Sequence, residues 1–351
     1  MEKYKYKQLG RTGIKVFPLG FGGHPIQKLS EEKAVKVVKN AIQKGINFID
    51  TSPTYADSQK KVGIALNDID RKIYLASQTG ADDKKGALND VKNSLKLLGV
   101  NKIDIFQLHA ITTQERYNKR LGPGGALEGL VKAREEGLID YIGITSHKND
   151  GDLLVKAIRT NKFDTVMFLH NFMEYDCERQ LLQVARELDI GMIALQPMAG
   201  GRLDDASVAL KYILKQDDVI PICGMMSTEE VEENIKIAMG SWEYTANELE
   251  RKKKIEAEVD KYFCRRCDRC LPCPQGIPIS VSLRAESFIK RIIPRNLQKG
   301  GNYHNAFQIA KACNECGVCL DGCPNNLDIP NLIKKNIKIM DSYLKSLDSK
   351  L

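Results

Sequence analysis

The feature that most constrains the fold of this 351-residue chain is an alternation of short apolar runs and amphipathic stretches, repeated eight times between Leu19 and Met239. The runs are LGFGG, INFIDTS, KIYLAS, IDIFQLH, IDYIGIT, TVMFLHN, GMIALQP and VIPICG. Their length and β-branched content are typical of buried parallel strands. Eight strand–helix units predict an α/β fold of the (β/α)8, or TIM barrel, type. A doubly wound sheet is the alternative, but the even count and the absence of an early GxGxxG favour the barrel.

Local signals agree with this assignment. Ser30 precedes Glu31 and Glu32, so it is placed to cap a helix whose N-terminal dipole suits the two acids. Gly45 is suited to end that helix. Ahead of the repeats, residues 4–18 predict a β-hairpin that closes the bottom of the barrel.

Eight of the ten cysteines lie in two C-terminal clusters of sequence, which we call the first comb and the second comb. The first comb is Cys264, Cys267, Cys270 and Cys273, and the second is Cys313, Cys316, Cys319 and Cys323. The second reads C-x2-C-x2-C-x3-C-P, the spacing of bacterial ferredoxins, where the fourth cysteine binds the other cluster. The combs therefore predict two 4Fe-4S clusters, each held by three cysteines of one comb and the last cysteine of the other.

Zinc sites and disulfides are the alternatives for segments rich in cysteine. Zinc sites usually take thiolates as separated pairs, whereas each comb places three in one CxxCxxC run. Nothing in the sequence indicates an oxidising compartment, which counts against disulfides. The first comb has two residues rather than three before its last cysteine, so its loop is expected to differ or its cluster to be labile.

The comb segment predicts an all-helical module. Helical patterns cover Ile279–Ile293 and Tyr303–Ala312, and the stretch CLPCPQGIPI is echoed by CLDGCPNNLDIP, which indicates an internal duplication. We therefore divide the chain into a barrel domain at residues 1–245, a linker helix at 246–262, a ferredoxin-like domain at 263–330 and a helical tail at 331–351.

The net charge of +8 does not indicate a nucleic-acid partner. Residues 260–330 hold ten Lys and Arg against six Asp and Glu, and two oxidised clusters of about −2 each would offset that surplus of four. The remaining positive charge is spread over lysine-rich helices, as on solvated faces. No apolar run has the length of a signal peptide core or a membrane span. We expect a cytoplasmic protein with no membrane or nucleic-acid partner.

Polar side chains follow two predicted strands at the end where barrels carry their active sites. Asp50 and Tyr55 follow the second run, and His109 ends the fourth. A phenol, an imidazole and a carboxylate at one mouth provide a proton donor, a ring that positions a carbonyl and a group that orients both. Weaker candidates that also follow strands are His24, His147 and His170.

These motifs together resemble the aldo/keto reductase superfamily. The resemblance rests on the hairpin, the Asp50…Tyr55 spacing, His109, the PMAGG run at residues 197–201 and the segment IPICGMMSTEEVEEN, and it spans nearly all of residues 4–240. The combs resemble the ferredoxin extension of an iron–sulfur branch of that superfamily. The resemblance implies NAD(P)H-linked reduction or oxidation of a small carbonyl or alcohol substrate.

The chain departs from the superfamily at one catalytic position. Reductases of this type use an Asp, Tyr, Lys, His tetrad, and the residue at the lysine position here is Gln78. A phenol has an unperturbed pKa near 10, and a neighbouring ammonium is what lowers it towards working pH. An amide donates a hydrogen bond without adding charge. Asp50, Tyr55, Gln78 and His109 are thus the catalytic candidates, with weakened proton transfer expected.

The resemblance also implies a dinucleotide site. Its candidate residues are Gly22, Ser146, Gln196, Gly200, Gly201, Gly224, Ser227 and Asn234. The helix after Ser227 begins with four glutamates in residues 228–233 and has no Lys or Arg to receive a 2′-phosphate, which favours NADH over NADPH.

These inferences predict an iron–sulfur oxidoreductase of aldo/keto reductase type with a small-molecule substrate and a redox protein partner. A hydride carries two electrons and a cluster accepts one, so coupling needs two clusters in relay or a flavin, which the sequence does not exclude. The alternative is a diverged barrel in which Gln78 has ended carbonyl reduction, so that the protein transfers electrons or binds a ligand.

Overall fold

A computed structural model describes residues 5–149, 151–301 and 303–348. The chain divides into two compact units. The barrel unit comprises Met1–Met198 and Asp205–Tyr244, and the C-terminal unit comprises Ala199–Asp204 and Thr245–Leu351. Residues 1–4 of the expected barrel domain, with the first residue of the expected hairpin, and residues 349–351 of the expected tail lie outside the described residues.

The expected hairpin consists of β1 (Lys7–Gln8) and β2 (Lys15–Val16), paired antiparallel around a 3-10 helix at Gly10–Thr12. Gly10 has φ +48° and lies directly against the backbone of Gly191, where a side chain would collide. Since Gly191 begins a barrel strand, the hairpin closes the N-terminal end of the barrel.

Eight parallel strands of the described residues form a closed barrel, which confirms the predicted fold class. They are β3 (Gly20–Gly22), β4 (Phe48–Asp50), β5 (Tyr74–Thr79), β6 (Ile103–Leu108), β7 (Ile139–Thr145), β8 (Thr165–Leu169), β9 (Gly191–Leu195) and β10 (Val219–Cys223). All eight coincide with the apolar runs of the sequence. Strand β10 pairs with β3 and so completes the ring.

Helices surround the strands. The helices of the barrel unit are α1 (Glu31–Gln43), α2 (Ser58–Leu66), α3 (Lys84–Leu98), α4 (Gln114–Leu121), α5 (Ala126–Glu135), α6 (Asp152–Ile158), α7 (Leu181–Glu187), α8 (Ala206–Leu214) and α9 (Thr228–Met239), with 3-10 helices at Pro25–Lys28 and Asp176–Arg179. The Ser30 hydroxyl caps α1 by accepting from the N–H of Lys33 at 3.4 Å, as its sequence position indicates.

Two apolar layers stabilise the barrel unit. The outer layer, between strands and helices, includes Val38 of α1 and Phe168 of β8. The inner layer fills the barrel and includes Leu9 of the hairpin with Phe48 and Ile193. Because apolar side chains fill the interior from the hairpin upwards, the polar groups inside the barrel stand out as candidates for function.

The C-terminal unit is helical, as predicted. Its helices are α10 (Ala246–Val259), α11 (Ile279–Ser282), α12 (Ala285–Arg291), α13 (His304–Ala310), α14 (Val318–Asp321) and α15 (Ile329–Asp348), with a 3-10 helix at Pro294–Asn296. The helix expected over Ile279–Ile293 is instead two helices. The break occurs because the N–H of Ala285 donates to the Asn336 side chain of α15 at 2.9 Å, which starts α12 anew. No described helix is both long and apolar enough to cross a membrane.

Candidate active site and cluster sites

Asp50 lies at the C-terminal end of β4, in register with Gly22 of β3 and Ala76 of β5. Its side chain is buried and accepts a hydrogen bond from Nε2 of Gln107 at 3.1 Å. Burial raises the pKa of Asp50 to about 7, against the Gln107 hydrogen bond, which lowers it. Near neutral pH this carboxyl is therefore protonated in a substantial fraction of molecules.

Tyr55 stands on the loop between β4 and α2. Its backbone N–H donates to the Ser52 carbonyl at 3.1 Å, in a turn that carries the phenol back towards the strand ends. The buried Gln78 amide donates from Nε2 to the phenol oxygen at 2.7 Å. The ring of His24 stands edge-on to the phenol, with centroids 4.7 Å apart. The structure thus brings Tyr55 and Gln78 together as the sequence predicted.

Gln107 is a site residue that the sequence analysis missed. It is buried on β6 in register with Gln78 on β5, so the two amides come from paired positions on neighbouring strands. Its Nε2 binds Asp50, while its buried Oε1 has no hydrogen-bond partner among the described residues. The signal was present: Gln107 precedes His109 by two residues and so shares its side of the strand.

His109 follows β6, and its N–H donates to the Thr79 carbonyl at 3.0 Å. Its ring packs edge-on against His147, with centroids 5.1 Å apart. Removal from water, together with the positive charges of Arg120 and Arg116, lowers the pKa of His109 to about 4. The imidazole is therefore neutral at physiological pH and suits hydrogen bonding to a carbonyl oxygen rather than ion pairing.

His170 does not belong to this mouth. It is fully buried after β8, where its Nε2 lies 2.8 Å from the Gln216 amide and 3.3 Å from the Glu178 carboxylate. Burial lowers the pKa of His170 to about 4. The residue serves the packing around α7 and α8.

Three of the candidates for the dinucleotide site occupy strand ends of the barrel unit. Gly22 ends β3 beside Asp50. Ser146 follows β7 and is buried, with its N–H donating to the Met167 carbonyl at 3.1 Å. Gln196 follows β9 with φ +55°, and its carbonyl accepts from the Asn171 amide at 3.2 Å.

The candidates after β10 are already engaged within the chain. Ser227 caps α9 by accepting from the N–H of Glu230 at 3.2 Å. The Glu230 carboxylate in turn accepts from the N–H of Met226, two residues after Gly224, at 2.6 Å. Asn234 is buried and donates to the Cys223 sulfur at 3.4 Å. A carboxylate thus occupies the N-terminal end of α9, where a phosphate would be expected to bind.

Gly200 and Gly201 belong to the C-terminal unit. Both have left-handed backbone, with φ +73° and +81°. Their carbonyls accept hydrogen bonds from α12, from the Ser287 hydroxyl at 2.8 Å and from the Lys290 ammonium at 3.1 Å. The expected phosphate loop is therefore anchored on its carbonyl side by the unit that carries the combs.

The second comb lines a small cavity of about 20 Å³. The thiols that line it are Cys273, Cys313, Cys316 and Cys319, the set expected from crossed ligation. Among the described residues, no three His, Cys, Asp or Glu side chains are gathered closely enough to hold a single metal ion.

The first comb is more enclosed. Burial raises the pKa of Cys270 to about 12, with further contributions from the nearby Cys264, Asp268 and Cys267. The residue before Cys323 packs here, since a Cβ on Gly322 would lie 3.0 Å from the Cα of Cys270. The end of the second comb thus reaches the first, as crossed ligation requires.

Family comparisons agree with both parts of the chain. The model described as "Aldo/keto reductase family" matches residues 18–207, which is more than half of the chain. The model described as "4Fe-4S dicluster domain" matches residues 263–328. The first match therefore carries the family assignment, and the second covers both combs.

Individual relatives share less than a third of their aligned residues with this chain. A probable aldo-keto reductase 1 of Glycine max is 29% identical over 213 residues, which cover 55% of this chain and 59% of that protein. L-galactose dehydrogenase of Arabidopsis thaliana is 25% identical over 309 residues, covering 74% and 96% respectively. The chain thus spans about three fifths of the soybean relative and nearly all of the Arabidopsis one.

Solved structures share the fold. An aldo-keto reductase of Bacillus halodurans in its holo form matches with a TM-score of 0.62 and 22% identity, covering 72% of this chain and 96% of that one. An aldo/keto reductase of Klebsiella pneumoniae in complex with NADP and acetate gives 0.60 and 19%, covering 72% and 94%. At these identities the likeness shows the barrel architecture.

Proposed function

Because this chain belongs to the aldo/keto reductase family and carries a 4Fe-4S dicluster domain, it is an oxidoreductase, and we propose that it couples NAD(P)H-linked reduction or oxidation of a small carbonyl or alcohol to its clusters. The observation that carries the proposal is the hydrogen bond from Gln78 to the phenol of Tyr55, which stands with Asp50 and His109 among the strand ends.

The phenol of Tyr55 is the proton donor in this proposal. Gln78 donates to the phenol oxygen, and the phenol would donate its own O–H to a substrate carbonyl. Neutral His109 holds that carbonyl oxygen by a hydrogen bond. A bound nicotinamide would supply or accept the hydride. Because the amide of Gln78 stabilises a phenolate less than an ammonium would, we expect slow proton transfer.

We propose NADH as the preferred nucleotide. The Glu230 carboxylate at the N-terminal end of α9 repels a 2′-phosphate, and the first turn of that helix adds Glu229. The Klebsiella pneumoniae reductase binds NADP in its solved complex, but that protein shares 19% identity with this chain. A direct comparison of the two nucleotides therefore decides the point.

The combs would hold two cubanes in crossed fashion. Cys313, Cys316 and Cys319 with Cys273 would hold one, and the other comb residues with Cys323 would hold the second. Bound clusters would supply one-electron transfer, so two in relay match the two electrons of a hydride. A redox protein is the proposed partner, and a flavin would serve the same conversion.

The second candidate function is electron transfer or ligand binding by a barrel that no longer reduces carbonyls. It is favoured by one observation, namely that both the phenol and the carboxyl of the site receive their hydrogen bonds from neutral glutamines. In that case the comb unit alone would be redox-active.

One titration tests the proposal. Anaerobic, iron-loaded protein is titrated with NADH and separately with NADPH while the visible cluster absorption is followed, then mixed with small aldehydes. We expect NADH to bleach the clusters, and an aldehyde to be reduced slowly. Bleaching by neither nucleotide, with no aldehyde turnover, contradicts the proposal and leaves the second candidate.

A further inference from the structure

The segment Ala199–Asp204 carries a cation to the first comb. Nη1 of Arg202 donates to the carbonyl of Cys264 at 3.2 Å, and its guanidinium carbon lies 3.7 Å from the centroid of the Phe263 ring. Phe263 and Cys264 are both buried. A permanent positive charge is therefore fixed beside the first cysteine of the comb.

The Arg202 side chain also binds the first residue of its own segment. Nε of Arg202 donates to the carbonyl of Ala199 at 3.1 Å, while Ser287 and Lys290 hold the carbonyls of the two glycines between them. The guanidinium thus joins the start of the segment to the peptide of Cys264. Any group that binds at the Gly200–Gly201 turn lies within two residues of this cation.

We propose that Arg202 raises the reduction potential of the cluster held by the first comb and links that potential to occupancy of the Gly200–Gly201 turn by a dinucleotide pyrophosphate. The linkage rests on the proposed function, since it needs a dinucleotide whose pyrophosphate binds at Gly200 and Gly201, two of the candidate residues from the sequence. The effect of Arg202 on the reduction potential requires only that the combs hold clusters.

The direction of the change in reduction potential follows from the charges. Reduction adds one electron, and hence one negative charge, to the cluster, so a fixed cation nearby favours the reduced form. Removal of water around Phe263 strengthens this interaction. Burial of Cys264 acts in the opposite direction, because it disfavours the more highly charged form. The contribution of Arg202 is therefore measured as the shift on its removal.

Three other arginines belong to the first comb. Arg266 is buried between Cys264 and Cys267 in the sequence and contributes a charge of its own, so substitution is what separates its effect from that of Arg202. The other two arginines are less suited to this role. Arg265 forms an ion pair with Asp260 at 2.8 Å and also binds Asn325, so its charge is largely compensated. Arg269 is exposed, where water screens it. An anion at the turn would compensate Arg202 and lower the potential. By linkage, reduction would then weaken binding of that anion by the same factor.

The test is a redox titration of the anaerobic full chain with dithionite, followed by cluster absorption and electron paramagnetic resonance. The probes are ADP-ribose and its 2′-phosphate, which carry the pyrophosphate but no nicotinamide. We expect Arg202→Gln to move one of two reduction steps to a more negative potential, with Arg202→Lys moving it less. ADP-ribose should move the same step of the unmodified protein in the same direction, and less in Arg202→Gln.

Arg295→Gln is the matched control, because it removes an exposed arginine from the same unit. All variants must contain as much iron and sulfide as the unmodified protein. If Arg202→Gln loses iron, the reduction potential is compared between Arg202→Lys and the unmodified protein instead. Unchanged steps, or shifts equal to those of the control, overturn the proposal. If calorimetry finds no binding of either probe, the proposed dinucleotide function and its link to the reduction potential both fail. The change in potential on Arg202→Gln still decides whether Arg202 raises the potential of the first-comb cluster.

Discussion

The barrel mouth and the first comb treat charge in opposite ways. At the mouth, Asp50 and Tyr55 receive hydrogen bonds from the uncharged amides of Gln107 and Gln78. At the comb, the guanidinium of Arg202 is fixed on the peptide of Cys264. An uncharged amide adds no positive charge beside a carboxyl or a phenol, whereas a fixed cation favours the arrival of an electron. On the proposed function, we therefore expect slow proton transfer at the mouth and ready reduction of the cluster at the first comb.

The largest effect should come from the comb side of this comparison. Cys273→Ala removes one wall of the cavity at the second comb, so we expect iron content to fall from about eight per chain to about four. Iron and acid-labile sulfide analysis measures it. Cys177→Ala, which removes a buried thiol outside the combs, should keep all the iron. A full complement in Cys273→Ala would exclude crossed ligation.

Tyr55→Phe tests the mouth. Without the phenol O–H the carbonyl has no positioned proton donor, so aldehyde turnover should fall by about 10²–10⁴-fold with little change in nucleotide binding. The control is Tyr141→Phe, whose hydroxyl donates to Thr12 of the hairpin at the other end of the barrel. Equal turnover in both variants would assign proton transfer to another group.

Asp50→Asn probes the buried carboxyl through stability. The folded-state pKa of Asp50 is raised from 3.8 to about 7, so between these values the unfolded chain releases a proton that the barrel retains. The free energy of unfolding of the unmodified barrel should therefore fall as pH rises through this window, by about 4 kcal/mol at most. Asp50→Asn should lose this dependence.

Urea unfolding at several pH values, followed by the circular dichroism of the barrel, measures this difference. The exposed Asp70→Asn is the control and should follow the unmodified protein. Parallel curves for all three proteins would mean that Asp50 ionises normally.

The smallest predicted effect is a gain. Gln78→Lys places an ammonium where the amide nitrogen now lies 2.7 Å from the phenol oxygen. We expect aldehyde reduction to rise about tenfold, with a pH optimum shifted down, because the ammonium acidifies the phenol. Gln78→Met, which removes the hydrogen bond without adding charge, should lower it. No gain in Gln78→Lys would count against carbonyl reduction.

Much of the fold could be predicted because it depends on patterns of neighbouring residues. The eight apolar runs became the eight strands, since buried parallel strands need continuous apolar sequence. The prediction of one helix over Ile279–Ile293 was wrong in one respect, because the side chain of Asn336, distant in sequence, divides that stretch into two helices. A contact between residues so far apart in sequence leaves no local signal.

The candidate site shows the same division. Asp50, Tyr55, Gln78 and His109 were found because each stands at a strand end with an informative residue type, and their roles stay predictions. The spacing of Gln107 from His109 marks its side of the strand, but the residue was missed because a glutamine there suggests no particular chemistry until its spatial neighbour is known. Its contact with Asp50 depends on which strand ends lie side by side.

The sequence by itself determined the barrel, the helical comb unit and the two sets of four cysteines, because strand periodicity and ligand spacing are properties of neighbouring residues. The tertiary structure alone decided which groups meet: the amides with the carboxyl and the phenol, Cys273 with the second comb, and Arg202 with Cys264. Charge and hydrogen bonding act over a few ångströms in space, and only the folded chain sets those distances.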